Sequence, residues 1–553
     1  MGVESPWEPG LWRQVSSDPE PVRQICRRSQ LNPVPLFDGL DKPQALNACL
    51  RVILTHHPSY ARRFAPRILN ARMAPELSSG TGLYVDGAWR GQSHPGLDVF
   101  NPATGHLVGS VVAATKQDVD DAIGAAARAF PDWSGLAPDQ RSTFLRSAYQ
   151  QVVSRSHELA RTLTLEQGKP IAEAEGEVLW GAEFLLWYAE EIRRPWGEIL
   201  APNSSNQRLI ARRRPRGVVA CITPWNFPSS MILRKVAPAI AAGNTVVVKP
   251  AEQTPLSAVA LFEIFHEVGL PAGVANLVCG EPDLVGGALT SSRHVRQISF
   301  TGSAEVGRII LKSAAATMAK VSLELGGSAP ALVFADADLD LAADKLSFSK
   351  FQASGQTCIA VNRIYVERSI ADKFGRLLAE RAAGRRVGDG LEDGVDVGPL
   401  IDRVAVSKVR SHLDDAISRG ARVLVGGGAP KGFDPDRFFD PTVVVDVPPD
   451  ALIAREETFG PVAPVIAFDD EKEALELANG TEYGLAAYLF TRDLGRAHRI
   501  GEGLDFGMVA VNDGALGWVQ APFGGIKGSG DGREGGRWGV EEFLDVQYLS
   551  FNF

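Results

Sequence analysis

Apolar positions recur along this chain with two different spacings. Between residues 118 and 130, Val119, Ile123, Ala126 and Phe130 share one helical face, so an amphipathic helix opening at Asp118 and ending at Pro131 is predicted. A longer helix is predicted over 172–192. Short unbroken apolar runs then alternate with helical stretches: GVVACI at 217–222, NTVVVK at 244–249, ANLVCG at 275–280 and RQISFTG at 296–302. Val/Ile-rich runs of this kind suit strands covered on both faces of a parallel sheet. A second series begins near 327, with PALVFA at 330–335, NRIYVE at 362–367, FGPVAPVIAF at 459–468 and GMVAVN at 507–512. Residues 194–216 read as a hairpin-like excursion with an arginine-rich return. The pattern predicts two α/β units and a protruding hairpin.

Length changes this picture little: 553 residues exceed one core and call for two or three domains. A net charge of −9 argues against a nucleic-acid partner, which would ask for a basic surface. Mean hydropathy is −0.04, and no apolar run is long enough to span a membrane. The five cysteines (Cys26, Cys49, Cys221, Cys279, Cys358) are scattered and odd in number, without CxxC spacing, and the nine histidines form no HxxH or HExxH group. Neither a disulfide framework nor a metal site is expected, and a reducing, cytoplasmic setting is. Residues 1–72 stand apart, with 9 of the 35 prolines and 9 arginines against one lysine. They read as a disordered extension, or as translated sequence upstream of a start at Met73.

Candidate chemistry concentrates at five places. Cys358, in GQTC, follows a helix predicted from about 340 and a glycine-bearing turn, among polar neighbours; Cys221 and Cys279 sit in Val-rich strands and read as core. A thiol so presented is a candidate nucleophile once a local field lowers its pKa. Asn226, in TPWNFP, follows a strand at the sheet edge where ligands bind, and its amide suits a developing oxyanion. FTGSAEVG offers Gly302, Ser303 and Gly307 at a strand-to-helix turn where a pyrophosphate meets a helix N-terminus. Lys249 and Glu252, in KPAE, end a strand at the same edge and suit ribose hydroxyls; a carboxylate there also repels a 2′-phosphate, favouring NAD over NADP. Glu324, in LELGG, is a lone carboxylate in an apolar strand, equally suited to a general base or to a structural ion pair.

Together and in this order, WNFP, KPAE, FTGS, LELGG, GQTC, EETFGP and PFGG resemble the NAD(P)-dependent aldehyde dehydrogenase superfamily, from about residue 84 to 553. The resemblance implies an α/β fold of two open, mainly parallel, Rossmann-like domains plus a β-hairpin oligomerisation arm. Residues 73–193 and 217–326 would form the NAD-binding domain, 327–530 the catalytic domain, and 194–216 with 531–553 the arm of a homodimer or homotetramer. It implies Cys358 as nucleophile, Asn226 as oxyanion donor and Glu324 as base. Lys249, Glu252, Ser303, Glu457, Phe459 and Trp225 would hold the cofactor, NAD with NADP possible. Succinate-semialdehyde dehydrogenases are the most similar members, and Arg234 matches their substrate-carboxylate position. Two departures leave the substrate open. Gln352 stands where these enzymes carry a second arginine, and Gly517 and Trp518 stand where they carry serines. A neutral aliphatic or aromatic aldehyde, in an apolar tunnel shaped by Trp187, Tyr188 and Phe523, is the alternative; a catalytically idle homologue is another.

Overall fold

In the computed structural model, which describes residues 82–91, 95–194 and 197–553, the unbroken Val/Ile runs become strands buried on both faces. The chain begins with β1 (Leu83–Val85), β2 (Ala88–Arg90) and the hairpin β3 (Gly96–Phe100) and β4 (Leu107–Val112). After a helical stretch come β5 (Gly197–Leu200), β6 (Gln207–Pro215), β7 (Val218–Ile222), β8 (Thr245–Lys249), β9 (Ala275–Val278), β10 (Val295–Gly302) and β11 (Lys320–Leu325). Strands β11-β10-β7-β8-β9 run parallel through the centre of an eight-stranded sheet, with β1 and β2 antiparallel at one side. Strand order reverses between β7 and β10, so the loops after these two strands flank the crevice where open α/β sheets bind ligands.

A second, seven-stranded sheet holds β12 (Ala329–Val333), β13 (Val361–Glu367), β14 (Arg422–Val425), β15 (Thr442–Val445), β16 (Val462–Phe468), β17 (Ala486–Phe490) and β18 (Met508–Val511), in the order β14-β15-β16-β13-β12-β17-β18. All pairings but β14–β15 are parallel. The chain then returns to the first sheet as β19 (Gly530–Asp531), whose Gly530 lies opposite Glu324 on β11. It ends in β20 (Leu544–Asn552), which pairs with β6 along its whole length and with β5 forms a separate three-stranded sheet. The fold is therefore α/β, with two mainly parallel sheets and a hairpin arm, as expected.

The first helix departs from the reading of its sequence. It spans Lys116–Gly135 and is capped by Thr115, in a reciprocal box with Asp118. Pro131 lies inside it instead of ending it. Two residues past the proline, Trp133 is buried and its indole N–H donates to Ile240 O at 3.0 Å, so tertiary anchoring carries the helix on. The long helix Ile171–Glu191 matches the predicted 172–192. The extension at residues 1–72 and the start at Met73 lie outside the described residues. Among the described residues no helix is long and apolar enough to cross a membrane.

Candidate active site

Helix Leu339–Phe351 runs into the segment that presents Cys358. Three successive residues there, Ala353, Ser354 and Gly355, take left-handed backbone angles (φ 48°, 58° and 75°). Such angles are unfavourable for side-chain-bearing residues and persist where surroundings fix them. Gly355 is obligatory, since a Cβ there would lie 2.2 Å from Gly460 O. Ser354 Oγ donates to Gly398 O at 2.8 Å. Cys358 emerges half-buried into a cleft of about 820 Å³ that also takes in Asn226, Thr301, Gly302, Ser303 and Glu457. Burial, followed by the Glu457 carboxylate, pushes its thiol up to about 12 in the free chain, so the sulfur rests protonated.

Asn226 follows β7 and is buried. Its Nδ2 donates to Gln356 O, two residues before Cys358, at 2.9 Å. Its own carbonyl accepts from Lys169 Nζ at 2.8 Å. Lys169 is fixed in turn by Glu177 at 2.6 Å, a pair about 1% exposed on each side. Glu177 also accepts from Ser229 N and Ser230 N at 3.0 and 3.1 Å. Glu173, one helical turn earlier, accepts from Ala353 N at 2.8 Å. None of Lys169, Glu173 and Glu177 was singled out from the sequence; the one available signal was two glutamates at i, i+4 opening a long helix.

Glu324 lies on β11, 3% exposed, and neither carboxyl oxygen has a hydrogen-bond partner. Burial first, and then the nearby Glu534 carboxylate, raise its pKa well above the ordinary carboxylate range. Glu534 shifts the other way, held ionised by Lys235 (2.6 Å) and Arg234 (2.8 Å). Glu534 is anchored by a two-way backbone pairing with Phe523, whose ring stacks 3.8 Å from the Arg234 guanidinium. Arg234 is 2% exposed and borders the cleft; its Nε contact with Glu534 is not aligned as a hydrogen bond, and its Nη1 has no partner. Gln352 and Phe523 line the same cleft.

Trp187 and Tyr188 do not. They pack against the first sheet's core, with Tyr188 fully buried. The tryptophan of their helix that borders the cleft is Trp180, whose Nε1 donates to Gly517 O at 2.7 Å. Gly307 also sits away from the cleft lining; a Cβ there would meet Leu325 at 2.8 Å, so this glycine serves helix–strand packing.

The remaining residues suit a dinucleotide. Ser303 caps helix Ala304–Ala314, its Oγ accepting from Val306 N at 3.3 Å, beneath a positive helix end. Glu457 reaches past the LELGG glycines: its Oε1 accepts from Gly327 N at 3.0 Å, and a Cβ on Gly326 would come within 2.5 Å of Oε2. Burial raises this carboxyl to about 7. Trp225 and Phe459 meet edge-to-face at 5.6 Å and border the cleft, as does Lys408, a cation that sequence reasoning passed over. Lys249 and Glu252 form an ion pair outside the main cleft. Glu252 lines a neighbouring cavity of about 610 Å³, and Ile401 and Asp402 border both spaces.

A strand-order switch point, a thiol facing the cleft and a capped helix end suit a dinucleotide-using enzyme. The sequence model of the aldehyde dehydrogenase family matches residues 89–549, and the chain belongs to that family. It is 48% identical over 470 residues to the glutarate-semialdehyde dehydrogenase of Pseudomonas putida, covering 84% of this chain and 96% of that protein. It is 48% identical over 466 residues to the NADP(+) succinate-semialdehyde dehydrogenase of Escherichia coli, with the same coverage. Among solved structures, an NADP-dependent enzyme of E. coli matches with a TM-score of 0.84 and 47% identity, over 86% of this chain and 98% of that one. Betaine aldehyde dehydrogenase of Staphylococcus aureus in complex with NAD+ matches with a TM-score of 0.83 and 36% identity, over 85% and 95%. The protein is thus an NAD(P)-dependent oxidoreductase that converts an aldehyde to its acid.

Proposed function

We propose that Cys358 is the nucleophile of this reaction, Asn226 its oxyanion donor and Glu324 its base, and that the substrate is a semialdehyde with an anionic far end. The observation that carries the reading is the Asn226–Gln356 hydrogen bond, which ties a buried amide to the segment two residues before Cys358, both residues bordering one cleft. The half-buried Cys358 thiol gives its proton to solvent water in the cleft, and the thiolate adds to the carbonyl carbon, forming a C–S bond and an oxyanion that the Asn226 N–H stabilises. When bound, the oxidised cofactor supplies a hydride acceptor and a positive ring. The acyl group then rests on Cys358 as a thioester. Glu324, in its ionised form, takes a proton from water; the hydroxide adds to the acyl carbon, the C–S bond breaks and the carboxylic acid leaves.

The cofactor residues are assigned as Ser303 beside the pyrophosphate, Glu457 with Trp225 and Phe459 at the nicotinamide end, and Lys249 with Glu252 at the adenosine ribose. The Glu252 carboxylate favours NAD. Copies of the chain pair through the arm, where the edge strands β5 and β20 expose Ile199 (82%), Val546 (70%) and Tyr548.

For the substrate, the unpartnered Nη1 of Arg234 supports a carboxylate ligand. A charge-assisted hydrogen bond of this kind is worth about 1.5–3 kcal/mol, roughly ten- to a hundredfold in kcat/KM. The test compares succinate and glutarate semialdehyde with butanal and benzaldehyde. Wild type favours the semialdehydes by that factor, and Arg234→Met removes the preference while sparing the neutral aldehydes. A wild-type preference for neutral or aromatic aldehydes overturns the substrate assignment.

A further inference from the structure

Helix Ile171–Glu191 opens with two carboxylates one turn apart, and each reaches a different side of the same hydrogen bond. Glu177 works on the Asn226 side: it fixes Lys169, whose ammonium holds Asn226 O and lies 3.7 Å from the Phe227 ring centre, and it binds the backbone N–H groups of Ser229 and Ser230. Glu173 works on the Gln356 side. Its Oε2 accepts from Ala353 N, the first of the three left-handed residues before the nucleophile. The carbonyl of Ala353 in turn accepts twice from Gln356, from its backbone N at 3.1 Å and its Nε2 at 3.0 Å. Gln356 O then receives the Asn226 amide.

Ala353 is therefore a hub whose N–H has one polar anchor, and that anchor comes from a helix packed on the other sheet. Without it, a left-handed Ala-Ser pair has less to oppose relaxation to ordinary angles. Relaxation at Ala353 shifts Gln356 O, and with it the amide that must meet a developing oxyanion.

We propose that Glu173 is a positioning residue for the oxyanion site, acting through Ala353 and Gln356 on the Asn226 amide. The proposal rests on the reading of Asn226 as oxyanion donor. Glu173 touches neither sulfur nor carbonyl; its effect is geometric, and a misplacement of about 1 Å in such a site is worth up to roughly a hundredfold in rate.

A double-mutant cycle on the pre-steady-state burst of NADH, measured with saturating cofactor and succinate semialdehyde, tests this. Asn226→Ala slows the burst by roughly 10²–10³. Glu173→Ala slows it by about ten- to a hundredfold, with the KM for NAD unchanged. In the Asn226→Ala background, Glu173→Ala adds less than about a further twofold, because the group it positions is gone. Glu173→Gln, which keeps an acceptor oxygen for the Ala353 N–H, restores the burst to within about threefold of wild type. Multiplying effects, a normal burst in Glu173→Ala, or a Glu173→Gln variant as slow as Glu173→Ala overturns the proposal. A normal burst in Asn226→Ala instead overturns the oxyanion reading, and this proposal with it. Should Glu173→Ala not fold, Glu173→Asp, whose shorter arm withdraws the oxygen from Ala353 N, carries the same cycle with the same expected outcome.

Discussion

Replacing Glu324 with glutamine separates the two halves of the reaction, because the side chain keeps its volume and loses its ability to take a proton. Its site is close: a Cβ on Gly524 would lie 2.8 Å from Glu324 Oε1, so an isosteric change is required. Removing a general base lowers its step by roughly 10²–10⁴, or about 2.7–5.5 kcal/mol. Acylation of Cys358 does not use this base in the proposed sequence, so it survives. Mixing enzyme, NAD and aldehyde in a stopped-flow instrument should give one equivalent of NADH per Cys358, followed by a steady rate reduced by that factor. Mass spectrometry of the quenched protein should find the acyl group on the Cys358 peptide.

The same substitution makes a second, opposite claim about stability. Burial holds the Glu324 pKa above its unfolded value, with no hydrogen bond to compensate. An acid shifted upward destabilises the native state as pH rises from the ordinary carboxylate range towards the raised native value, and the penalty is absent below that range. The glutamine variant carries no such penalty, so at pH 7–8 it should melt at or above the wild-type temperature, and the two proteins should converge near pH 4. An intact melt with a hundredfold or greater fall in turnover identifies chemistry, not folding. A steady rate within tenfold of wild type refutes the base assignment, and a folded variant without a burst refutes the division of labour between Glu324 and Cys358.

Two other outcomes follow from geometry already described. Glu252→Gln removes the carboxylate assigned to the adenosine ribose, so the KM for NADP should fall by about tenfold or more relative to that for NAD; an unchanged ratio removes Glu252 from the cofactor. Paired charges at the arm, Val546→Asp with Tyr548→Asp, should reduce the mass seen by light scattering at micromolar protein, since both side chains are exposed on β20; an unchanged mass relocates the interface.

Positions legible in the sequence were those announced by local signals. Cys358 follows a turn signal and reaches the cleft, and Ser303 follows a strand and caps a helix; the close approaches at the LELGG glycines, of the Glu457 carboxylate at Gly326 and the Cys358 carbonyl at Gly327, went unread. Periodicity located faces but not depth. Trp180 and Trp187 are seven residues apart on one helix and nominally share a face, yet two turns amount to roughly 10 Å along the axis, which separates the cleft from the core. The strand β17, AAYLF, escaped notice because two alanines weaken its β signal, although all five residues are buried between β12 and β18. The supporting charges were illegible for a stronger reason. Glu534 meets Lys235 across 299 residues and Glu173 meets Ala353 across 180, so their meaning arises when distant parts of the chain come together. A lone glutamate in a helix is locally a solvated charge. The fold makes it a brace, by placing at its tip a backbone N–H that the left-handed turn leaves pointing out of its own segment.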